Sequence, residues 1–94
     1  MRSHPLLAAR ILRTDLEVTR FGMATGRVLG PAVVRNRVRR QIRGVLRELA
    51  PDIQPGWDVL LVARPALVSA DHETLVTTLR RQLSRGGVLG RSND

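Results

Sequence analysis

The sequence predicts a small two-layer α/β sandwich with the element order β-β-α-β-α, in which helices pack on a small sheet. Three observations predict this class: short apolar or alternating segments precede residue 26, a long helical period follows residue 30, and a continuous apolar segment precedes a second helical period. With 94 residues, of which 43% are hydrophobic, the chain has the size and composition of one globular domain.

Two strands are predicted in the first quarter of the chain. Residues 6–12 form a short apolar run that ends near Thr14 and Asp15, where a turn is predicted. Residues 17–25 alternate loosely and hold β-branched and aromatic residues, so we expect this strand to pair with the first one as a hairpin. Residues 1–5, before the first strand, are expected to be frayed.

A helix is predicted from Pro31 to about Ala50. Gly30 fits the N-cap, Pro31 fits the first helical position, where its missing N–H costs nothing, and Pro51 ends the helix. At 100° per residue, the apolar side chains fall within an arc of about 80°, and polar side chains occupy the opposite arc. The apolar set is Val34, Val38, Ile42, Val45 and Leu49, and the polar set is Asn36, Arg39, Arg40, Arg43 and Arg47.

A third strand and a second helix complete the predicted domain. Residues 57–64 form a continuous apolar strand, which is expected to be central and buried on both faces, and Pro65 ends it. Ser69 or Asp71 can cap the last helix. Residues 86–94 are expected to be a frayed tail. The apolar face of this helix consists of Leu75, Leu79 and Leu83.

The charge of the chain is unevenly distributed. It has sixteen arginines, no lysine and eight acids, which gives a net charge of +8. Residues 1–50 contain eleven arginines and three acids, whereas residues 51–94 contain five of each. No acid lies between Arg20 and Arg47. A GC-rich coding sequence explains the missing lysine but not this segregation, which predicts a nucleic-acid partner.

The sequence offers no catalytic group or metal site of its own. It has no cysteine, which excludes disulfides, thiolate nucleophiles and cysteine-ligated zinc. Neither His4 nor His72 has a partner at a metal-ligand spacing. Ser69, Asp71 and His72 include the residue types of a catalytic triad, but such close neighbours at a helix start cannot face one another as a triad does. The longest apolar run has five residues, so we expect no membrane span and a cytoplasmic protein.

The arginine-rich helix is the predicted binding element. Six arginines fall within residues 35–47, with no acid among them, and their mutual repulsion is relieved by a polyanion. Guanidinium groups match phosphate oxygens in a bidentate manner, and Asn36 can bond a phosphate, a ribose hydroxyl or a base edge.

The same residues resemble a known family. Arg20-Phe-Gly-Met, followed by Gly30-Pro-Ala-Val-Val-Arg-Asn-Arg-Val-Arg-Arg-Gln-Ile-Arg, closely resembles the signature of the bacterial ribonuclease P protein subunit. Val59-Leu-Leu-Val-Ala-Arg-Pro resembles the last strand of that family, and the helix from Ser69 resembles its C-terminal helix. The resemblance covers roughly residues 6–85 in consistent order.

The resemblance implies a function and a fold. Members of this family assist a catalytic RNA, and together they remove the 5′ leader from precursor tRNA. The RNA performs the hydrolysis with bound magnesium ions, so the resemblance implies no cofactor on the protein alone, and we expect no obligate protein partner. The implied fold is ribosomal-protein-S5-domain-2-like, an α/β sandwich with a left-handed β-α-β crossover, an exception to the usual right-handed rule.

The resemblance also assigns residues. Those expected to contact the catalytic RNA are Arg35, Asn36, Arg37, Arg39, Arg40 and Arg43, and those expected to contact the leader are Arg20, Phe21 and Arg27. Family members usually begin with a further helix whose aromatic residues wall the leader cleft. Met1 lies almost directly before the first predicted strand, so we expect either a start that lies further upstream or a protein with half of this cleft, and the aromatic residues present are Phe21 and Trp57. Stacking is worth roughly 1–3 kcal/mol per base, so we expect weaker leader binding.

Two alternative functions follow from the same basic helix. A DNA-binding or ribosome-associated module would place the helix in a groove, but a helix-turn-helix requires a preceding helix, and the segment before Pro31 predicts strands. A membrane-surface helix would need aromatic anchors, which the apolar arc lacks.

Overall fold

The computed structural model of the chain describes residues 4–90 and contains the predicted elements in the predicted order. Three short 3-10 helices link them, at Arg27–Leu29, Ala50–Asp52 and Pro65–Ser69. The strands are β1 (Leu7–Arg13), β2 (Arg20–Ala24) and β3 (Trp57–Ala63), and the α-helices are α1 (Ala32–Leu49) and α2 (His72–Arg85).

The three strands form one sheet in the order β1-β3-β2. β3 is antiparallel to β1 and parallel to β2, so the predicted hairpin between β1 and β2 is wrong. The segment between β1 and β2 bonds instead to the turn before β3. Thr14 donates its backbone N–H to the carbonyl of Gly56 at 2.8 Å, and Gly56 donates to the carbonyl of Val18 at 3.2 Å. Gly56 has a φ of 91°, which glycine adopts without strain.

Both helices cover the same face of the sheet. Along β3, Val59, Leu61 and Ala63 are buried at 5% exposure or less, whereas Leu60 between them is 38% exposed. The predicted burial of β3 on both faces is therefore wrong, and the strand alternates as one does in a sheet with one open face. The central position predicted for β3 is confirmed.

α1 packs on the sheet through the predicted apolar arc. Val38, Ile42, Val45 and Leu49 are completely buried, and Val34 at the start of the arc is half-buried. The helix begins one residue later than predicted. Its N-cap is Pro31, which has extended backbone angles, and no side chain caps the helix.

α2 begins at the second of the two predicted caps. The carboxylate of Asp71 accepts a hydrogen bond from the backbone N–H of Thr74 at 2.8 Å, whereas Ser69 lies in the preceding 3-10 helix. The predicted leucine face is buried. Gln82 adds a hydrogen bond between α2 and the sheet, in which its side-chain nitrogen donates to the carbonyl of Leu7 in β1 at 3.0 Å. This bond anchors α2 to the β1 end of the sheet.

The segment after α2 packs on the domain as far as residue 90. Val88 is fully buried and Leu89 is 7% exposed, and Leu89 forms an isolated antiparallel bridge with Ile53. Residues 86–90 therefore contradict the expectation of a frayed tail, because two apolar side chains complete the core there. Residues 1–3 and 91–94, for which fraying is also expected, lie outside the described residues.

Candidate nucleic-acid interface

The outer side of α1 forms a continuous polar surface, which we call the α1 arginine surface. It lies opposite the buried apolar arc, so the packing of α1 against the core makes this surface face away from the sheet. Over about 11 residues it extends roughly 16 Å along the helix axis. Most of its members are exposed, and Arg39 is half-exposed. The surface consists of Asn36, Arg39, Arg40, Arg43 and Arg47.

Two of the predicted RNA-contacting arginines flank the apolar arc of α1 and lie outside this surface. Arg37 is exposed and donates from Nη2 to the carbonyl of Val68 at 3.2 Å, which ties α1 to the last 3-10 helix. Arg35 is half-buried, and its buried Nε has no hydrogen-bond partner among the described residues. Within the surface, Arg39 donates from Nη1 to Oδ1 of Asn36 at 3.1 Å.

The positive charge of the α1 arginine surface is not offset by acids. The ion pairs of the described residues include Arg20 with Asp58, Arg80 with Asp52, and His72 with Glu48, and none of these involves an arginine of α1. Glu48 is the single acid of α1, and its carboxylate lies 2.7 Å from Nε2 of His72 on α2, on the side where the two helices meet. An uncompensated basic surface of this kind attracts polyanions.

The uncovered face of the sheet is the second candidate surface, and we call it the open sheet face. Alternate strand residues point to it. A shallow depression of about 510 Å³ lies on this face, bordered by all three strands. The outward residues that border it are Arg10 and Leu12 of β1, Arg20 and Gly22 of β2, and Asp58 and Leu60 of β3.

Arg20 and Asp58 form a bidentate pair on the open sheet face. They are register partners in the parallel β2–β3 ladder. Nε of Arg20 donates to Oδ1 of Asp58 at 2.8 Å, and Nη2 donates to Oδ2 at 2.6 Å. These hydrogen bonds hold the pKa of Asp58 below its usual range, although partial desolvation opposes the shift. The same bonds raise the pKa of the Arg20 guanidinium, so both groups are charged at neutral pH.

The structure separates the three residues predicted to contact the leader. Arg20 lies on the open sheet face, and Arg27 is exposed in the 3-10 helix between β2 and α1. Phe21 belongs to the opposite side of β2, where it packs against the core while also bordering the depression. Trp57 likewise packs against the core and lies under Arg13, whose guanidinium is 4.9 Å from the ring centre. No aromatic side chain of the described strands therefore projects from the open sheet face.

Sequence reasoning missed the residues that shape this face. Leu12, Leu60 and Asp58 come together only through the β1-β3-β2 register. Leu12 and Leu60 lie in apolar segments, and that pattern alone does not show that they are exposed. Asp58 is the signal that could have indicated an open face, because a strand buried on both faces would not carry an unpaired acid.

The sheet with one open face, the two helices on its other face and the acid-free arginine surface define a small α/β domain with a basic surface of the kind that suits nucleic acids. The helix-turn-helix alternative is wrong for the part of the chain described, because α1 follows β2 and a single 3-10 turn. The chain belongs to the ribonuclease P protein family, whose family model, described as Ribonuclease P, matches residues 2–86.

Similar proteins agree with this assignment. The Ribonuclease P protein component of Cyanothece sp. is 42% identical over 74 residues, which cover 78% of this chain and 56% of that protein. The Ribonuclease P protein component of Roseiflexus sp. is 43% identical over 77 residues, which cover 81% of this chain and 63% of that protein. The matched part of the chain thus spans about three fifths of the length of these relatives.

Solved structures show the same fold. The RNase P protein of Staphylococcus aureus superposes with a TM-score of 0.82 at 20% identity, covering 94% of this chain and 81% of that one. The RNase P protein of Thermotoga maritima superposes with a TM-score of 0.81 at 23% identity, covering 88% of this chain and 79% of that one.

Two further findings concern residues 4–90. No helix in this range is long and apolar enough to cross a membrane. Nor does the range contain a cluster of three or more His, Cys, Asp or Glu side chains that could hold a metal ion.

Proposed function

We propose that this chain acts as the protein component of ribonuclease P in the cytoplasm. In this function it binds the catalytic RNA through the α1 arginine surface and the 5′ leader of precursor tRNA on the open sheet face. Family membership supports the proposal. The observation that carries it is the α1 arginine surface, whose charge no acid offsets among the described residues.

In this function the protein binds the RNA and positions the leader. Guanidinium groups on α1 neutralise phosphates of the folded RNA, and the counterions released from those phosphates favour association. In this proposal the magnesium that supports hydrolysis belongs with the RNA, as the family resemblance implies. The protein therefore acts by holding the leader beside the RNA, which raises the effective concentration of the scissile bond at the metal ions.

The open sheet face suits an extended single strand. It is a shallow apolar floor with basic side chains at its edges, and single-stranded nucleic acids bind to basic grooves of this kind. No aromatic side chain of the described strands projects from it, so in this proposal the leader is held by aliphatic contacts and by hydrogen bonds to base and backbone.

The deciding experiment is single-turnover cleavage of a precursor tRNA by the catalytic RNA of the same organism. At low magnesium concentration, we expect the protein to raise the cleavage rate, because bound arginines replace part of the charge screening that magnesium provides. An unchanged rate, measured at protein concentrations that saturate the RNA, would contradict the proposal.

Matched variants assign the effect to α1. Arg43→Glu reverses a charge within the α1 arginine surface, whereas Arg81→Glu reverses an exposed charge on α2. We expect Arg43→Glu to weaken binding to the catalytic RNA at least tenfold, because it removes one phosphate contact and adds a repulsion. Arg81→Glu should change it far less. Equal effects of the two variants would show that net charge, and not the α1 arginine surface, determines binding.

A further inference from the structure

The loop between β1 and β2 carries the acids of the basic half of the chain. Asp15 and Glu17 are the two acids among residues 1–47, and both are exposed. They alternate with Leu16 and Val18, which are 43% and 58% exposed. Neither acid forms an ion pair with a described residue. Residues 15–18, which we call the acidic loop, therefore present two acids and two apolar side chains to solvent.

Hydrogen bonds hold the backbone of the acidic loop in place. At its start, the backbone N–H of Leu16 donates to Oγ1 of Thr14 at 3.2 Å. At its end, the carbonyl of Val18 accepts from the backbone N–H of Gly56 at 3.2 Å. A partner therefore meets a surface that is already formed, which lowers the conformational entropy lost on association.

The turn between β2 and α1 carries a surface of the opposite character, which we call the valine corner. Val28 in the 3-10 helix and Val33 in the first turn of α1 are each 71% exposed. Arg27 precedes Val28, is exposed and forms no ion pair with a described residue. Arg37 is also exposed and lies four residues after Val33, on the same side of the helix. The valine corner consists of Arg27, Val28, Val33 and Arg37.

The acidic loop and the valine corner are complementary, but one molecule cannot join them. Each combines two charges of one sign with two exposed apolar side chains, and the signs are opposite. The acidic loop precedes β2 and the valine corner follows it, so the five residues of this strand separate them by roughly 16 Å. A second copy of the chain can bring its acidic loop to the valine corner of the first.

We propose that the free protein associates head to tail, with the acidic loop of one molecule on the valine corner of the next. The acids of the loop then face the arginines of the corner, and the apolar side chains of both surfaces leave water. Because the two surfaces differ, each added molecule leaves one of each kind unoccupied, and association continues beyond a dimer.

The net charge of +8 on each copy opposes this contact without preventing it. At 0.15 M ionic strength, charges further apart than about 8 Å are largely screened from one another, whereas the acids and arginines of the contact lie closer than this. Four residues on each side form a smaller contact than the stable interfaces that bury about 1,200–2,000 Å². We therefore expect weak association, which becomes measurable at high protein concentration.

The first test is sedimentation equilibrium of the whole chain, free of RNA, in about 0.15 M sodium chloride. We expect the weight-average mass to rise with protein concentration and to pass that of a dimer. A mass that stays at that of the monomer up to about 1 mM protein would overturn the proposal. A mass that levels off at exactly two chains would overturn it as well, because a symmetric dimer does not use a head-to-tail contact.

Reversed charges assign the contact to the two surfaces. Glu17→Arg and Arg27→Glu each place like charges together, so each alone should weaken association about fivefold or more. A mixture of the two should associate like the wild type, because every contact between unlike copies again joins an acid to an arginine. The two substitutions change the net charge in opposite directions, so an effect of net charge alone would weaken one variant and strengthen the other. That result, or a mixture no better than its components, would overturn the proposal.

Disulfide cross-linking tests the same contact with all charges in place. The chain has no cysteine, so two introduced thiols are the only ones present. Leu16→Cys in the acidic loop, mixed with Val33→Cys in the valine corner, should form a disulfide between copies faster than Leu16→Cys mixed with Ser84→Cys. Ser84 is exposed on α2, away from both surfaces, and serves as the control. Equal rates for the two mixtures would contradict the head-to-tail contact.

Self-association does not depend on the proposed function, and the two outcomes are separable. A monomeric protein that accelerates precursor tRNA cleavage contradicts this inference and leaves the proposed function standing. A protein that associates head to tail but neither binds the catalytic RNA nor accelerates cleavage contradicts the proposed function instead.

Discussion

Two aspartates show how hydrogen bonds lower the pKa of a carboxyl group in this protein. The pKa of Asp71 is lowered chiefly by its hydrogen bonds from the side chain and the backbone of Thr74, and that of Asp58 chiefly by its bonds from Arg20. A carboxylate whose pKa is lower in the folded state stabilises the protein above its unfolded pKa. That stabilisation is lost as the pH falls through the folded value.

The N-cap of α2 gives the first stability prediction. Asp71→Ala should lower the midpoint of thermal unfolding by on the order of 4 °C at pH 7, because the first turn of the helix loses its side-chain acceptor. Asp71→Asn should stay close to the wild type at pH 7, since asparagine is an equally good N-cap. The measurement is circular dichroism during heating.

The same variants test the charge of this cap. From pH 5 to pH 3, the wild type should lose stability relative to Asp71→Asn, because the lowered pKa of folded Asp71 lets the unfolded chain take up the proton first, whereas asparagine does not titrate. Parallel pH profiles for the two proteins would show that the cap contributes no charge-dependent stability.

At the level of elements, the sequence predicted α1 to within one residue but did not predict the order of the strands. The 3.6-residue period of Val38, Ile42 and Val45 is local information, and the structure buries all three. The placement of β3 between β1 and β2 depends on bonds between distant segments, such as that from Thr14 to Gly56. The pattern of neighbouring residues in the sequence does not indicate such bonds.

The same difference between local and long-range information separates the two candidate surfaces. The α1 arginine surface was predictable, since one helix presents it. The open sheet face was not, because each of its three strands contributes two or three residues and their register brings them together. Phe21 was assigned to the leader as an aromatic residue of the motif, but the alternation of β2 turns it toward the core.

Gly30, before the start of α1, gives the second stability prediction. Its φ of 127° and ψ of −163° lie in a region that is essentially restricted to glycine. Gly30→Ala should reduce the free energy of unfolding by about 1–3 kcal/mol. Gly26 is a matched control, because its φ is −72° and no atom would lie within 4 Å of an added Cβ. Urea unfolding of both variants measures the difference, and an equal loss at the two positions would contradict the role of backbone strain.

The α1 arginine surface predicts a specific dependence of RNA binding on salt. For the proposed complex, Arg40→Ala should make the slope of log affinity against log salt concentration shallower by about 0.7–0.9, the contribution of one phosphate contact. Arg81→Ala, on the exposed side of α2, should leave the slope unchanged. Filter binding across a range of sodium chloride concentrations gives both slopes. The assignment of Arg40 to the interface fails if its slope equals that of the wild type.

For the whole molecule, the two-layer architecture separates the two candidate surfaces. The helices cover one face of the sheet, and the α1 arginine surface lies on the far side of that helical layer. The open sheet face points in the opposite direction. A domain built this way can contact two nucleic-acid segments at once without competition between them, which is the geometry that holding a leader beside a catalytic RNA requires.

The concentration of charge on one side also makes the isolated protein sensitive to ionic strength. Six arginines lie within residues 35–47, and none of them has an acidic partner in the structure described. Their repulsion destabilises the folded state more than the unfolded chain, because the folded state holds all six on one helix. Raising the ionic strength from 0.01 M to 1 M shortens the screening length from about 30 Å to about 3 Å.

We therefore expect the thermal unfolding midpoint of the free protein to rise by several degrees when sodium chloride is raised from 0.01 M to 1 M. Most surface ion pairs weaken over this range, so a protein with balanced charges would show a small change or a decrease. The double variant Arg40→Gln, Arg43→Gln removes two of the repelling charges, and its midpoint should rise less with salt and start higher at low salt. A midpoint of the wild type that falls with salt would show that its surface ion pairs outweigh the repulsion on α1, and that the uncompensated charge of this helix is not the dominant electrostatic feature of the fold.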